Sequence, residues 1–251
     1  MGILVEACGV CKSYKHGNLN TDVLRHVDMS VSAGEMVSIV GPSGSGKSTL
    51  LHCLAGLEVP DAGEIHLMGV DVVRARRGER AKVRAQHVGF VFQQYNLMPS
   101  LSVGENVSLP VRLAGSKLSR ENVRELLERV GMGGREHARP AELSGGEAQR
   151  VAIARAVASG PDIVFADEPT GALDTANGNA VLDMLRAMAD EGSRAVVMVT
   201  HDLEAAARAD RVLVLRDGEI VHMMVHPTSW EILTAMGETR ARNAAEGVVS
   251  R

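Results

Sequence analysis

The chain has 251 residues, 45% apolar and 23% charged, with a net charge of −4. This is ordinary for a soluble globular protein, with room for one large domain or a core domain carrying an inserted lobe, and it lacks the basic excess of a nucleic-acid binder. No apolar run reaches the ~18 residues a membrane-spanning helix needs, and Met1 to Val5 lacks the charged start and apolar stretch of a signal peptide; the chain is expected to stay in the cytoplasm and to meet a membrane only through a partner.

In chain order, residues 3–11 and 23–39 alternate apolar and polar side chains, as half-buried strands do. Cys8-Gly9-Val10-Cys11 has the spacing of a redox or zinc site, but no second Cys or His pair completes it, so it reads as small residues in the first strand. Met36–Val40 is a buried strand, and a helix starts near Gly46, with Cys53 packed inside it. Pro60-Asp61-Ala62-Gly63 is a turn, and a further strand runs from Glu64 to Met68. Arg74, Arg76, Arg77, Arg80, Lys82 and Arg84 form a basic cluster. It reads as a solvated helix face rather than a site for lipid or nucleic acid, because the whole chain is acidic.

Ser102-Val103-Gly104-Glu105 is a capping box that starts a helix, which Pro110 kinks or ends. A second helix runs from about Ser119 to Val130, with Val123, Leu126, Leu127 and Val130 on one face and Gly131 as its stop. This helical middle stretch, roughly 95–160, is expected to be an inserted lobe. Ile163–Ala166 and Ala195–Val199 join Met36–Val40 as buried parallel strands, separated by a helix near 177–190. Asp217-Gly218 turns Val212–Leu215 into Ile220–Val221 as a hairpin. After Gly237 the chain turns polar, so 1–236 reads as the folded unit and 237–251 as a frayed, disordered tail. There is no internal repeat.

Three segments carry chemistry. Gly41-Pro42-Ser43-Gly44-Ser45-Gly46-Lys47-Ser48 matches G-x-x-x-x-G-K-[ST] between a strand and a helix. Its glycines let backbone N–H groups curl around phosphate oxygens, Lys47 reaches the β- and γ-phosphates, and Ser48 ligates Mg²⁺. The strand Ile163–Ala166 ends in Asp167 and Glu168. Adjacent side chains on a strand diverge, so Asp167 can serve the Mg²⁺ shell while Glu168 poises the attacking water. Leu143-Ser144-Gly145-Gly146-Glu147 opens a helix running to about Ser159, which makes a second helix start able to hold an anion. Two such starts in one chain suit two copies placed head to tail, each ATP clamped between one copy's loop and the other's second start.

On these residues the chain resembles the ABC ATPase family over about 3–236. The resemblance implies a P-loop α/β core with a mostly parallel sheet, an N-terminal antiparallel β-subdomain and an inserted α-helical subdomain. It implies ATP and Mg²⁺ as cofactors and nucleotide contacts from Tyr14, which resembles the aromatic stacking on adenine, from Gly41 through Ser48, and from Thr49. Gln93 resembles the glutamine that touches Mg²⁺ and the attacking water, with Gln94 as the alternative. Ser144, Gly145 and Gly146 would bind the γ-phosphate held by the other copy; Asp174 resembles the loop that speaks across the dimer, and His201 the histidine on the γ-phosphate. Catalysis would fall to Glu168, His201, Lys47 and Gln93, and metal binding to Ser48, Gln93 and Asp167.

The implied partners are a second copy or a homologous ATPase subunit and an integral membrane permease, placing the chain on the cytoplasmic face of the membrane. Tyr95–Leu101 resembles the groove that receives the permease. Glu147 departs from the family's usual glutamine and sets an acid close to the γ-phosphate. That glutamate, together with Ala166-Asp167-Glu168-Pro169-Thr170-Gly171, is similar to the lipoprotein-release, macrolide-export and cell-division branch. The family reading is therefore an export-type transporter ATPase, or alternatively a non-transport regulator of cell-wall remodelling. A soluble repair or translation machine lacks its long insertions here, and a dead binding module is at odds with Glu168, Lys47 and His201.

Overall fold

The computed structural model describes residues 2–17, 19–171 and 173–246. Its elements run β1 (Ile3–His16), β2 (Leu19–Ser32), β3 (Met36–Val40), α1 (Lys47–Leu54), β4 (Ala62–Leu67), β5 (Val70–Asp71), α2 (Arg77–His87), β6 (Val88–Val91), α3 (Val103–Leu113), α4 (Arg120–Arg129), a 3₁₀ turn at Pro140–Glu142, α5 (Gly145–Val157), β7 (Ile163–Asp167), α6 (Thr175–Asp190), β8 (Ala195–Val199), α7 (Leu203–Ala206), β9 (Arg211–Arg216), β10 (Glu219–Val225) and α8 (Ser229–Glu246).

Two sheets form. β2-β1-β4-β5 is antiparallel; β10-β9-β3-β8-β7-β6 is parallel except for the edge hairpin β9–β10. The alternating span 23–39 is thus split between the sheets by a turn after Ser32. Asp217 and Gly218 both take positive φ, 47° and 84°, as a tight two-residue hairpin requires. β3, β7 and β8 are fully buried, which is why they read as unbroken apolar runs.

Alternate residues on these strands serve opposite cores. Val37, Ile39, Ile163, Phe165, Val197 and Val199 pack with Leu50, Leu51 and Leu54 of α1 and with the antiparallel sheet. Met36, Val40, Val164, Ala166, Val196 and Met198 pack on the other side with α5, α6 and α7. A third core, built on Val103, Val107, Val123, Leu127, Val151 and Ala154, holds the helices between β6 and β7 together. α5 belongs to both of the last two cores and so ties those helices to the sheet.

Several expectations are adjusted. Pro110 does not end α3, which continues to Leu113; Val111 beyond the proline is buried, and that burial outweighs the missing backbone bond. Residues 237–246 are helical rather than frayed, since Ala, Arg and Glu there favour continuation of α8; 247–251 lie outside the described residues. The basic cluster is only partly a solvated face. Arg74 pairs with Glu64 at 2.6 Å, while Arg80 and Arg84 donate to the Val72 and Gly56 carbonyls. Cys8, Cys11 and Cys53 are free thiols; burial pushes Cys53 up to about 12. Among the described residues, no group of three His, Cys, Asp or Glu could hold a metal ion, and no helix is long and apolar enough to cross a membrane.

Candidate functional site

β3, β8, β7 and β6 are parallel neighbours, so their C-terminal ends share one edge of the sheet. That edge is where open α/β sheets bind ligands. The glycine loop leaves it after β3, His201 follows β8, Asp167 closes β7 with Glu168 next, and Gln93 sits in the turn after β6.

The loop enters α1 through Gly46, whose φ of 100° and ψ of 6° suit glycine. A Cβ there would lie 2.5 Å from the Val23 carbonyl of β2, so the phosphate loop is braced against the antiparallel sheet. Lys47 Nζ donates to the Gly41 and Pro42 carbonyls, both at 2.9 Å. Burial lowers its pKa, while Glu168 and Asp167 oppose that shift. Ser48 Oγ donates to Asp167 Oδ1 at 3.0 Å. Burial holds the Asp167 carboxyl above its ordinary value, with the Ser48 hydrogen bond pulling the other way.

Glu168 takes a left-handed φ of 48°, and its amide still donates to the Val199 carbonyl. Its carboxylate oxygen Oε2 lies 2.8 Å from His201 Nδ1. The two adjacent acids thus do different things: one meets the phosphate-loop serine, the other the histidine of the neighbouring strand.

Tyr14 stands on β1, half-exposed, its hydroxyl donating to Glu58 at 2.7 Å and Lys12 Nζ 5.5 Å from its ring centre. Burial raises the phenol, with Glu58 adding to the shift and a hydrogen bond with Thr49 opposing it. Gln93 and Gln94 are both exposed, and the turn beyond them is clamped by Arg155 of α5, which donates to the Tyr95 and Asn96 carbonyls.

Ser144 caps α5: its hydroxyl accepts from the Glu147 amide, and Glu147 reaches back to accept from the Ser144 amide at 2.8 Å. Asp174 caps α6 by accepting from the Asn177 amide, and Asn177 in turn accepts from Arg150 of α5. Gly146 lies against Leu173, 3.4 Å from where its Cβ would be.

The structure therefore brings Lys47, Ser48, Asp167, Glu168 and His201 into one polar cluster. It does not bring Ser144, Gly145 and Gly146 to that cluster. α1 packs on one face of the sheet and α5 on the other, so the two helix starts singled out in the sequence lie on different layers. Sequence reading missed Gln149, Arg150, Arg155 and Asn177. Of these only Asn177 left a local signal, an Asp-x-x-Asn spacing at a helix start; the others join segments distant in sequence.

The profile of the ABC transporter family matches residues 24–171, more than half of the chain. The lipoprotein-releasing system ATP-binding protein LolD of Shewanella sp. (strain MR-4) is 45% identical over 226 residues, covering 89% of this chain and 98% of the relative. The macrolide export ATP-binding/permease protein MacB of Escherichia coli is 46% identical over 220 residues, 87% of this chain but 34% of the relative, so the chain spans about a third of that protein's length. Among solved structures, the dimeric ATP-binding cassette MJ0796 in a post-hydrolysis state bound to ADP and Pi superposes with a TM-score of 0.84 at 38% identity, covering 89% of this chain and 99% of that one. The fold, the cluster at the sheet edge and these likenesses agree: the chain belongs to the ABC transporter family and is an ATP-binding, ATP-hydrolysing subunit of it.

Proposed function

We propose that two copies, or one copy and a homologous subunit, close head to tail over two ATP molecules, and that closure drives an export-type membrane permease. The observation carrying this reading is the separation of α1 and α5 onto opposite faces of the sheet. A second copy can present its Ser144-Gly145-Gly146 helix start to the γ-phosphate that the first copy's Gly41–Thr49 segment holds. Tyr14 stacks on the base, and Asp174 sits where the two copies meet.

The chemistry is positioning and charge stabilisation. The Ser48 hydroxyl and Asp167 carboxylate are hard oxygen donors already within hydrogen-bond reach, which fits Mg²⁺, with Gln93 as a further ligand. When bound, Mg²⁺ neutralises charge on the β- and γ-phosphate oxygens. Lys47 exchanges its loop carbonyls for phosphate oxygens. Glu168 orients the attacking water as general base, and His201 orients Glu168 and contacts the γ-phosphate. Residues 95–160 form the inserted lobe, and its Tyr95–Leu101 segment, where Met98 is 45% exposed, is the contact for the membrane subunit. The chain then works on the cytoplasmic face of the membrane, peripheral through that subunit.

The test is Glu168→Gln beside wild type, with ATP turnover and particle mass measured in ATP and Mg²⁺. Wild-type turnover together with a silent, ATP-trapped dimer of the variant supports the reading. A variant that turns over like wild type removes Glu168 from the mechanism.

A further inference from the structure

A carboxylate at the fifth position of the Leu143–Glu147 segment needs a physical answer, because this helix start is proposed to approach the most negative part of a partner's nucleotide. Glu147 is not loose. One carboxylate oxygen accepts from the Ser144 amide at 2.8 Å, and the other is 3.2 Å from Arg135 Nη2. The hydrogen bond from the Ser144 backbone, then Arg135 and Arg150, hold this carboxyl below its ordinary value.

Arg135 is itself held in place. It lies in the loop between α4 and the 3₁₀ turn, and that loop's Glu136 and Ala138 carbonyls accept from the Gly104 and Val103 amides at the start of α3. The Arg135 amide donates to the Met132 carbonyl, and Met132 is buried in the lobe core. The guanidinium is delivered by a braced loop and is not a free surface arm.

We propose that Arg135 is a positioning residue for the second phosphate site: its guanidinium neutralises Glu147 and keeps that carboxylate folded back on the Ser144 amide, so the helix start meets the partner's γ-phosphate without net negative charge. This rests on the head-to-tail reading above. The capping geometry needs only an oxygen acceptor, which glutamine also supplies. The cation is needed only because the acceptor is charged. Arg135 is therefore required when residue 147 is glutamate and dispensable when it is glutamine. Its effect on dimer closure should be modest per site, since an ion pair with both partners partly exposed and facing solvent changes an equilibrium by about five-fold at most.

The experiment uses the full chain in a Glu168→Gln background, which holds ATP without turning it over. The ATP concentration giving half-dimer is measured by light scattering at low and high salt for five forms: native at 135 and 147, Arg135→Gln, Arg135→Lys, Glu147→Gln, and Arg135→Gln with Glu147→Gln. Arg135→Gln is expected to raise that concentration by about five-fold at low salt, with the gap narrowing at about 1 M salt as screening removes the charge. Arg135→Lys should restore most of the loss. In the Glu147→Gln background the same change should have no effect. An equal loss in both backgrounds, or one indifferent to salt, overturns the proposal by making Arg135 a structural brace; no loss in the native background overturns it too. If the form native at 135 and 147 does not dimerise with ATP, the head-to-tail reading fails first and this inference falls with it.

Discussion

Replacing Gly46 by alanine adds one methyl group at the entrance to α1. Two costs can be worked out separately. Holding an L-residue at a φ of 100° costs about 1–3 kcal/mol of backbone strain. The new Cβ would also sit 2.5 Å from the Val23 carbonyl and 3.0 Å from a Leu24 methyl. The carbonyl belongs to the backbone of β2 and cannot swing aside, so overpacking adds about 1–3 kcal/mol. Gly44 is the control. Its φ is 79°, but nothing lies within 4 Å of its Cβ position, so Gly44→Ala carries only the strain. The gap between the two variants is then about 2 kcal/mol, or ~4–8 °C in Tm for a chain of this size. Thermal unfolding without nucleotide reads that gap, and a fluorescent ATP analogue reads binding. Gly46→Ala should fall below Gly44→Ala in Tm and lose nucleotide affinity. Equal melting temperatures would refute the claim that the phosphate loop is braced on the antiparallel sheet.

Gln149 of α5 is 2% exposed and donates to the Pro169 carbonyl at 2.8 Å; Gln149→Leu orphans that carbonyl and should cost about 1–2 kcal/mol, read as a drop of ~2–8 °C in Tm, and an unchanged Tm would remove the bond from the account. Asp210 supplies a pH signature. Burial acts to raise its carboxyl, but the Met36 amide and Arg186 outweigh that and hold it below its ordinary value. A carboxyl lowered in the fold contributes stability above its unfolded pKa and loses it as pH falls through the folded one. The lead of wild type over Asp210→Asn in urea unfolding should therefore be full at pH 7 and shrink below about pH 4; a lead that grows on acidification would contradict the sign.

Much of the fold was legible in the sequence because the relevant signals are local. β3, β7 and β8 read as buried parallel strands from unbroken apolar runs, the Asp217-Gly218 turn from its backbone needs, and α3 from its capping box. The phosphate loop and the Asp167-Glu168 pair were legible because phosphate chemistry restricts both residue type and order. What was not legible depends on long-range pairing. Nothing around Arg155 announces that it clamps Tyr95 and Asn96, and nothing around Arg135 announces Glu147. The reach of α8 past Gly237 was missed for another reason: its last turns are polar, so apolar periodicity ends before the helix does.

The long-range contacts also bear on why one chain holds all the parts and is proposed to need a partner. α5 carries the helix start proposed to meet the other copy's nucleotide, and it is bonded at two points to the segments that follow Glu168. Gln149 holds the carbonyl of Pro169, the residue after Glu168, and Arg150 holds Asn177, whose amide donates to the capping Asp174. Its other end is bonded through Arg155 to the turn after Gln93. On the proposed head-to-tail contact, a displacement of α5 on meeting a partner's phosphate would be passed toward Glu168 and Gln93, because buried side chains that bond a backbone carbonyl transmit strain through a close-packed interior. On this reading, hydrolysis at one site reports on occupancy at both, and the Arg155 clamp on the turn before Met98 is the physical route by which that occupancy reaches the proposed membrane contact.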